Sequence, residues 1–141
     1  MKKLISILIM LAVLFTCVVP VFAEDEQEIL PAYVAINDIK CGGSISGRIM
    51  TFTASGTFVE ASYANVRMIL QKAPVGTTNF SYDSTIANQN VTGSVTGVTP
   101  FSINKTATKD SAYVYRVAFT LRVYNTHDVC IDSETVYSPT L

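Results

Sequence analysis

The stretch from Ser111 to Tyr124 constrains the fold of this chain more than any other. Tyr113, Tyr115, Val117, Phe119, Leu121 and Val123 alternate with Val114, Arg116, Ala118, Thr120, Arg122 and Tyr124. A period of two puts one set on each face of an extended strand, and β-branched and aromatic side chains suit a pleated, half-buried surface. The segment predicts a long strand with one buried face. Asn125-Thr126-His127-Asp128 then supplies turn chemistry, and alternation resumes over Val129 to Tyr137. There Ile131, Thr135 and Tyr137 are expected on one side, and Asp132 and Glu134 on the other. Two strands across a short polar loop make a hairpin.

Shorter strands are legible upstream. Ala32 to Ile36 is apolar throughout and follows Pro31. Ile45 to Ala54 carries Met50, Phe52 and Ala54 on one face, and Val66 to Lys72 does the same with Val66, Met68 and Leu70. Ala73-Pro74-Val75-Gly76 breaks the pattern. Asn79 to Tyr82 and Phe101 to Lys105 are further strand candidates. Ser84 to Thr99, rich in Ser, Thr, Asn and Gly, reads as an irregular edge strand or as a loop. About seven short strands with turns between them and no helical periodicity argue for an all-β, antiparallel immunoglobulin-like β-sandwich, with a small β-barrel as the alternative. Asp110-Ser111-Ala112-Tyr113-Val114-Tyr115 is similar to the tyrosine corner of such sandwiches, although the chain has no Trp.

Met68-Ile69-Leu70-Gln71-Lys72, Tyr115-Arg116-Val117 with Val123-Tyr124, and Glu134-Thr135-Val136-Tyr137-Ser138 carry a family resemblance. On these segments the chain resembles a group of small secreted Gram-positive bacterial proteins known only as a domain of unknown function. The resemblance implies a sandwich fold and export. It supplies no activity and no catalytic residues.

The N-terminus gives an address. Lys2 and Lys3 precede an apolar run from Leu4 to Val19, Pro20 stops it, and Val21-Phe22-Ala23 places small or modest side chains before Glu24. That order is the signal-peptide pattern, with cleavage expected between Ala23 and Glu24. The run is shorter than the roughly 20 residues of a spanning helix, so no membrane span is expected in the mature protein. Lipidation at Cys17 would require small residues where Phe15 and Thr16 stand. The expected organisation is a signal peptide over 1–23, an acidic flexible leader over 24–31 and one domain over 32–141, acting in the extracellular space.

Removing Lys2 and Lys3 leaves eight Lys/Arg against eleven Asp/Glu. Glu24, Asp25, Glu26 and Glu28 lie in the leader, so the domain itself is near neutral. This is not the clustered basic surface that meets nucleic-acid phosphates. Cys41 and Cys130 are the two cysteines of the mature chain, and in an oxidising compartment a disulfide between them is expected. Their parity suggests an edge staple, because Cys130 should point outward. Two reduced thiols are the alternative.

No catalytic constellation, metal motif or cofactor motif stands out, and the expectation is a non-enzymatic protein. The one histidine, His127, falls in the hairpin turn, where an exposed loop role is the ordinary one. Asp132 and Glu134 are expected opposite Arg116 or Arg122 as cross-strand pairs. Arg67, Arg116, Arg122 and Tyr124 are expected on one outer sheet face, and Arg and Tyr are favoured in binding surfaces. The function read from these features is binding of a protein or cell-envelope component. The competing class is a bacteriocin-like or toxin protein acting on target membranes, which would favour a basic amphipathic chain.

Overall fold

The computed structural model of the chain describes residues 34–141. The signal peptide, the acidic leader, Cys17 and the first two residues of the expected domain lie outside the described residues. Seven strands follow: β1 (Ile36–Ser46), β2 (Ile49–Val59), β3 (Tyr63–Pro74), β4 (Ser81–Thr92), β5 (Val98–Thr108), β6 (Tyr113–Tyr124) and β7 (Cys130–Tyr137). They form two antiparallel sheets, one in the order β1-β2-β5 and the other in the order β4-β3-β6-β7. This is an immunoglobulin-like sandwich in which the fourth strand pairs with β3. In the constant-type arrangement that strand joins the first sheet instead.

Alternation explains the core. Met50, Phe52, Ala54 and Phe58 point inward from β2, and Ala64, Val66, Met68 and Leu70 from β3. Tyr115, Val117, Phe119, Leu121 and Val123 do so from β6, and all are buried. The rings of Phe58 and Phe119 lie 6.4 and 5.8 Å from that of Phe101, joining the two sheets. Full burial of each such ring stabilises the fold by roughly 1.5–3 kcal/mol. At the β5–β6 corner the buried Tyr115 hydroxyl accepts the Asp110 N–H at 3.3 Å. That bond closes the loop as a tyrosine corner does.

The predicted boundaries of the early strands need correction. The first strand begins where the predicted Ala32–Ile36 segment ends and runs on through Gly42 and Gly43. The predicted Ile45–Ala54 strand is two strands folded at Gly47-Arg48, since Ser46 pairs with Ile49. Gly47 takes φ +59° there, the left-handed value that a two-residue hairpin demands at its first central position. Ser84–Thr99 resolves into most of an edge strand, a turn and the start of β5. Two bulges distort β4 against β3, one between Met68 and Ile69 and one between Leu70 and Gln71. They disrupt the alternation that would have marked it as a strand.

Candidate functional site

The outer face of the four-stranded sheet gathers the predicted arginines. β3 and β6 form the middle of this sheet, paired without a register break from Tyr63↔Tyr124 to Pro74↔Tyr113. Their inward positions build the core, so Tyr63, Asn65, Arg67, Ile69 and Gln71 share the outer face with Tyr124, Arg122, Thr120, Ala118 and Arg116. Across β6, the neighbours from β7 are Ser133, Thr135 and Tyr137. Across β3, β4 contributes Asn90, Asn88, Thr85 and Tyr82. None of these strand positions is Asp or Glu.

The four predicted residues have different roles on this face. Arg67 and Arg122 are exposed and flank a depression of about 290 Å³ lined also by Asn65, Ile69, Asn88 and Thr120. Asn65 Nδ2 donates to Asn88 Oδ1 at 3.2 Å and to Asn90 Oδ1 at 2.9 Å, which orders the amides along one side. Thr120 and Thr135 hydroxyls meet at 2.9 Å on the other. Arg116 is held in place: its Nε donates to Gln71 Oε1 at 2.8 Å, and its guanidinium sits 4.2 Å from the Phe80 ring centre and 4.4 Å from that of Tyr137. Such stacking suits the flat, weakly hydrated guanidinium. Tyr124 stacks on Tyr63, with ring centres 4.8 Å apart and planes 7° from parallel. The Phe80–Arg116–Tyr137 stack and the asparagine ladder were not anticipated from sequence. Phe80 lies in a loop, and Asn65 on β3 meets Asn88 and Asn90 on the irregular β4, so no local pattern joins them.

The expected pairing of Asp132 and Glu134 with Arg116 or Arg122 does not occur. Asp132 lies opposite Val123 and Glu134 opposite Leu121, which places both on the inner-face parity at the sheet edge. The cause is a bulge between Val123 and Tyr124, where Ile131 is the extra residue. One added residue reverses the face of everything after it. The ion pairs among the described residues are Lys40–Asp38 at 3.0 Å and Lys72–Asp83 at 2.6 Å, and neither involves an arginine. Arg116 meets the Gln71 amide and two rings, and no guanidinium on this face is in an ion pair among the described residues.

The expected Cys41–Cys130 disulfide is also corrected, since both residues are free thiols. β1 and the end of the chain run in the same direction. Ala35 and Ile36 donate backbone N–H groups to Asp132 Oδ2, while a Cβ added at Gly43 would lie 3.1 Å from Leu141 Cδ1. Cys41 thus lies toward the Leu141 end and Cys130 at the opposite end. At a rise of ~3.3 Å per residue, that offset is about 20 Å along the strands. A disulfide needs Cα atoms within about 7 Å. Cys41 packs on the core opposite Ala54, and burial pushes its thiol up to about pKa 11. Cys130 is exposed. The thiolate is the reactive form. A thiol reagent at neutral pH is expected to modify Cys130 in the native domain and to reach Cys41 only in denaturant. Intact-mass measurement checks this: one label native and two unfolded fits, whereas no label without reductant would restore the bridge.

His127 is exposed in the β6–β7 turn, with Nδ1 3.4 Å from Thr126 Oγ1. The three segments expected to carry a family resemblance fall on β3, β6 and β7, the last running one residue past Tyr137, in the sheet that bears the arginine face. Neither a family model nor a curated protein nor a solved structure matches this chain.

Proposed function

We propose that the protein is an exported, non-enzymatic binding module whose arginine face takes an anionic, hydroxylated polymer of the cell envelope. One observation carries this reading: Arg67 and Arg122 flank one depression on a face whose strand positions include no carboxylate. A guanidinium presents forked donors that match phosphate or carboxylate oxygens. The amides of Asn65 and Asn88 and the Thr120 hydroxyl offer both donors and acceptors to hydroxyl groups beside such an anion. Exposed charge contacts are individually weak, so a repeating ligand that engages many copies of the module gains through multivalency. The signal-peptide pattern and the resemblance to small secreted proteins support an extracellular setting.

The test is capture of purified anionic envelope polymer. Arg67→Glu/Arg122→Glu is expected to reduce capture at least about tenfold, and wild-type capture should fall as salt is raised. Both side chains are exposed, so the double variant should unfold within about 1 kcal/mol of wild type. Undiminished capture by this variant sinks the proposal.

A further inference from the structure

A second basic site lies at the end of the sandwich where the β1–β2, β3–β4 and β5–β6 connections meet. Two backbone bonds tie these tips together: Lys109 N–H to Arg48 O at 2.8 Å, and Val75 N–H to Ala112 O at 3.1 Å. Between the first hairpin and the β5–β6 loop is a depression of about 530 Å³, lined by Ile45, Gly47, Arg48, Lys109 and Ser111. Large apolar side chains stand at the same tips: Ile45 lines the depression, Ile49 follows Arg48 in β2, and Val75 is tied to the β5–β6 loop through Ala112. Ile45 is 43%, Ile49 48% and Val75 61% exposed. Ile45 and Ile49 flank the two-residue turn on opposite faces of the hairpin, Ile45 on the side of the buried Met50 and Ile49 on the side of Ser46.

Charge distinguishes this end from the other. Neither Arg48 nor Lys109 takes part in an ion pair among the described residues. The neighbouring acid, Asp110, accepts the Ala112 N–H at 2.9 Å. Lys72 and Asp83 neutralise one another nearby. The opposite end, built from the β2–β3, β4–β5 and β6–β7 turns, carries the acids Glu60 and Asp128. With Lys72 and Asp83 cancelling, Arg48 and Lys109 outweigh Asp110 and leave this end with a net positive charge. Apolar tips beside such an excess are the chemistry of an interface whose outer layer is anionic and whose interior is hydrocarbon.

We infer that this end docks on an anionic lipid bilayer. Arg48 and Lys109 meet headgroup phosphates across the depression, while Ile45, Ile49 and Val75 enter the interfacial layer. The contact is peripheral and reversible, because two cations and three apolar tips fall short of a permanent anchor. The surface is independent of the Arg67/Arg122 face, which lies on the flank of the sandwich. A protein docked by its end therefore keeps that face open.

The experiment is co-sedimentation of the mature protein, beginning at Glu24, with vesicles of phosphatidylglycerol and phosphatidylcholine. Binding to mixed vesicles and not to pure phosphatidylcholine is expected. Arg48→Ser/Lys109→Ser should weaken it about thirtyfold, at roughly fivefold per cation, and Ile49→Ser should weaken it further. Arg67→Glu/Arg122→Glu should leave vesicle binding unchanged, which separates this site from the polymer-binding one. Equal sedimentation of wild type and the Arg48/Lys109 variant overturns the inference. So does equal binding to neutral vesicles, and so does full release by inorganic phosphate at constant ionic strength, which would mark a soluble-phosphate site.

Discussion

Gly56→Ala is expected to destabilise the domain by about 3 kcal/mol or more, the upper range for forcing atoms into a packed interior. An added Cβ would lie well inside van der Waals contact of the Asp38 carbonyl oxygen and 3.1 Å from Phe101 Cε1. The obstruction is backbone on one side and a buried ring on the other, so no side-chain rotation relieves it. It arises from the bulge between Ile36 and Asp38, which brings the β1 backbone down onto β2 where Gly56 pairs with Ile39. Gly47→Ala is the informative control. Nothing lies within 4 Å of its added Cβ, so the cost is only the strain of a left-handed residue, about 1–2 kcal/mol. Urea unfolding of both variants separates the mechanisms. A Gly56→Ala protein with the wild-type midpoint and slope would mean that β1 does not press on β2 as described.

The same contrast explains how far the sequence reveals the fold. β3 and β6 are central strands whose inward faces are apolar over Ala64 to Leu70 and Tyr115 to Val123, and both their existence and their inward residues follow from the alternation of Val66, Met68 and Leu70 and of Tyr115 through Val123. Edge strands answer to fewer neighbours and tolerate irregularity. β1 contains Gly42-Gly43, which imitates a turn, while the true turn at Gly47-Arg48 has a single glycine. A Cβ at Gly43 would lie 3.1 Å from Leu141 Cδ1 and 3.2 Å from Phe52 Cδ1, contacts between residues remote in sequence. β4 is composed of residues that also suit loops, and its two bulges remove any period.

The candidate site was legible to the same degree. Arg67, Arg122 and Tyr124 stand on regular strands, and their shared face follows from parity alone. Their lack of acidic partners does not, because it depends on the phase of β7. The apolar residues Val129 and Ile131 suggest one phase and Val136 the other. The fold accommodates both, since Ile131 and Val136 each pack partly on the core. The Ile131 bulge makes that possible. The cysteine pairing failed for a related reason. β1 and β7 run beside one another, and Cys130 takes the outward parity opposite Tyr124, but the common direction of the two strands puts Cys41 and Cys130 at opposite ends.

Asp132→Ala is expected to cost about 2–4 kcal/mol, because it removes the acceptor for two backbone donors. The Asp132 Oδ2 atom accepts the N–H groups of Ala35 and Ile36 at 2.9 and 3.0 Å, and Oδ1 accepts its neighbour Ser133 N–H at 2.8 Å. Ala35 and Ile36 are buried, so water cannot readily replace the lost partner, and each unsatisfied donor costs about 1–3 kcal/mol. The bond matters because β1 and β7 belong to different sheets and share no ladder. The carboxylate stitches that side of the sandwich where no backbone pairing can. Its inward aim depends on the bulge at Ile131, since without the extra residue Asp132 would face the arginines. Asp132→Asn keeps one acceptor oxygen and should lose about half as much. Hydrogen exchange distinguishes a local stitch from general weakening: the Ala35 and Ile36 amides should exchange faster in Asp132→Ala by a larger factor than the amides of β3 and β6, which open with the whole domain. Unchanged protection at Ala35 and Ile36, with stability equal to wild type, would show that β1 is held by its pairing with β2 alone.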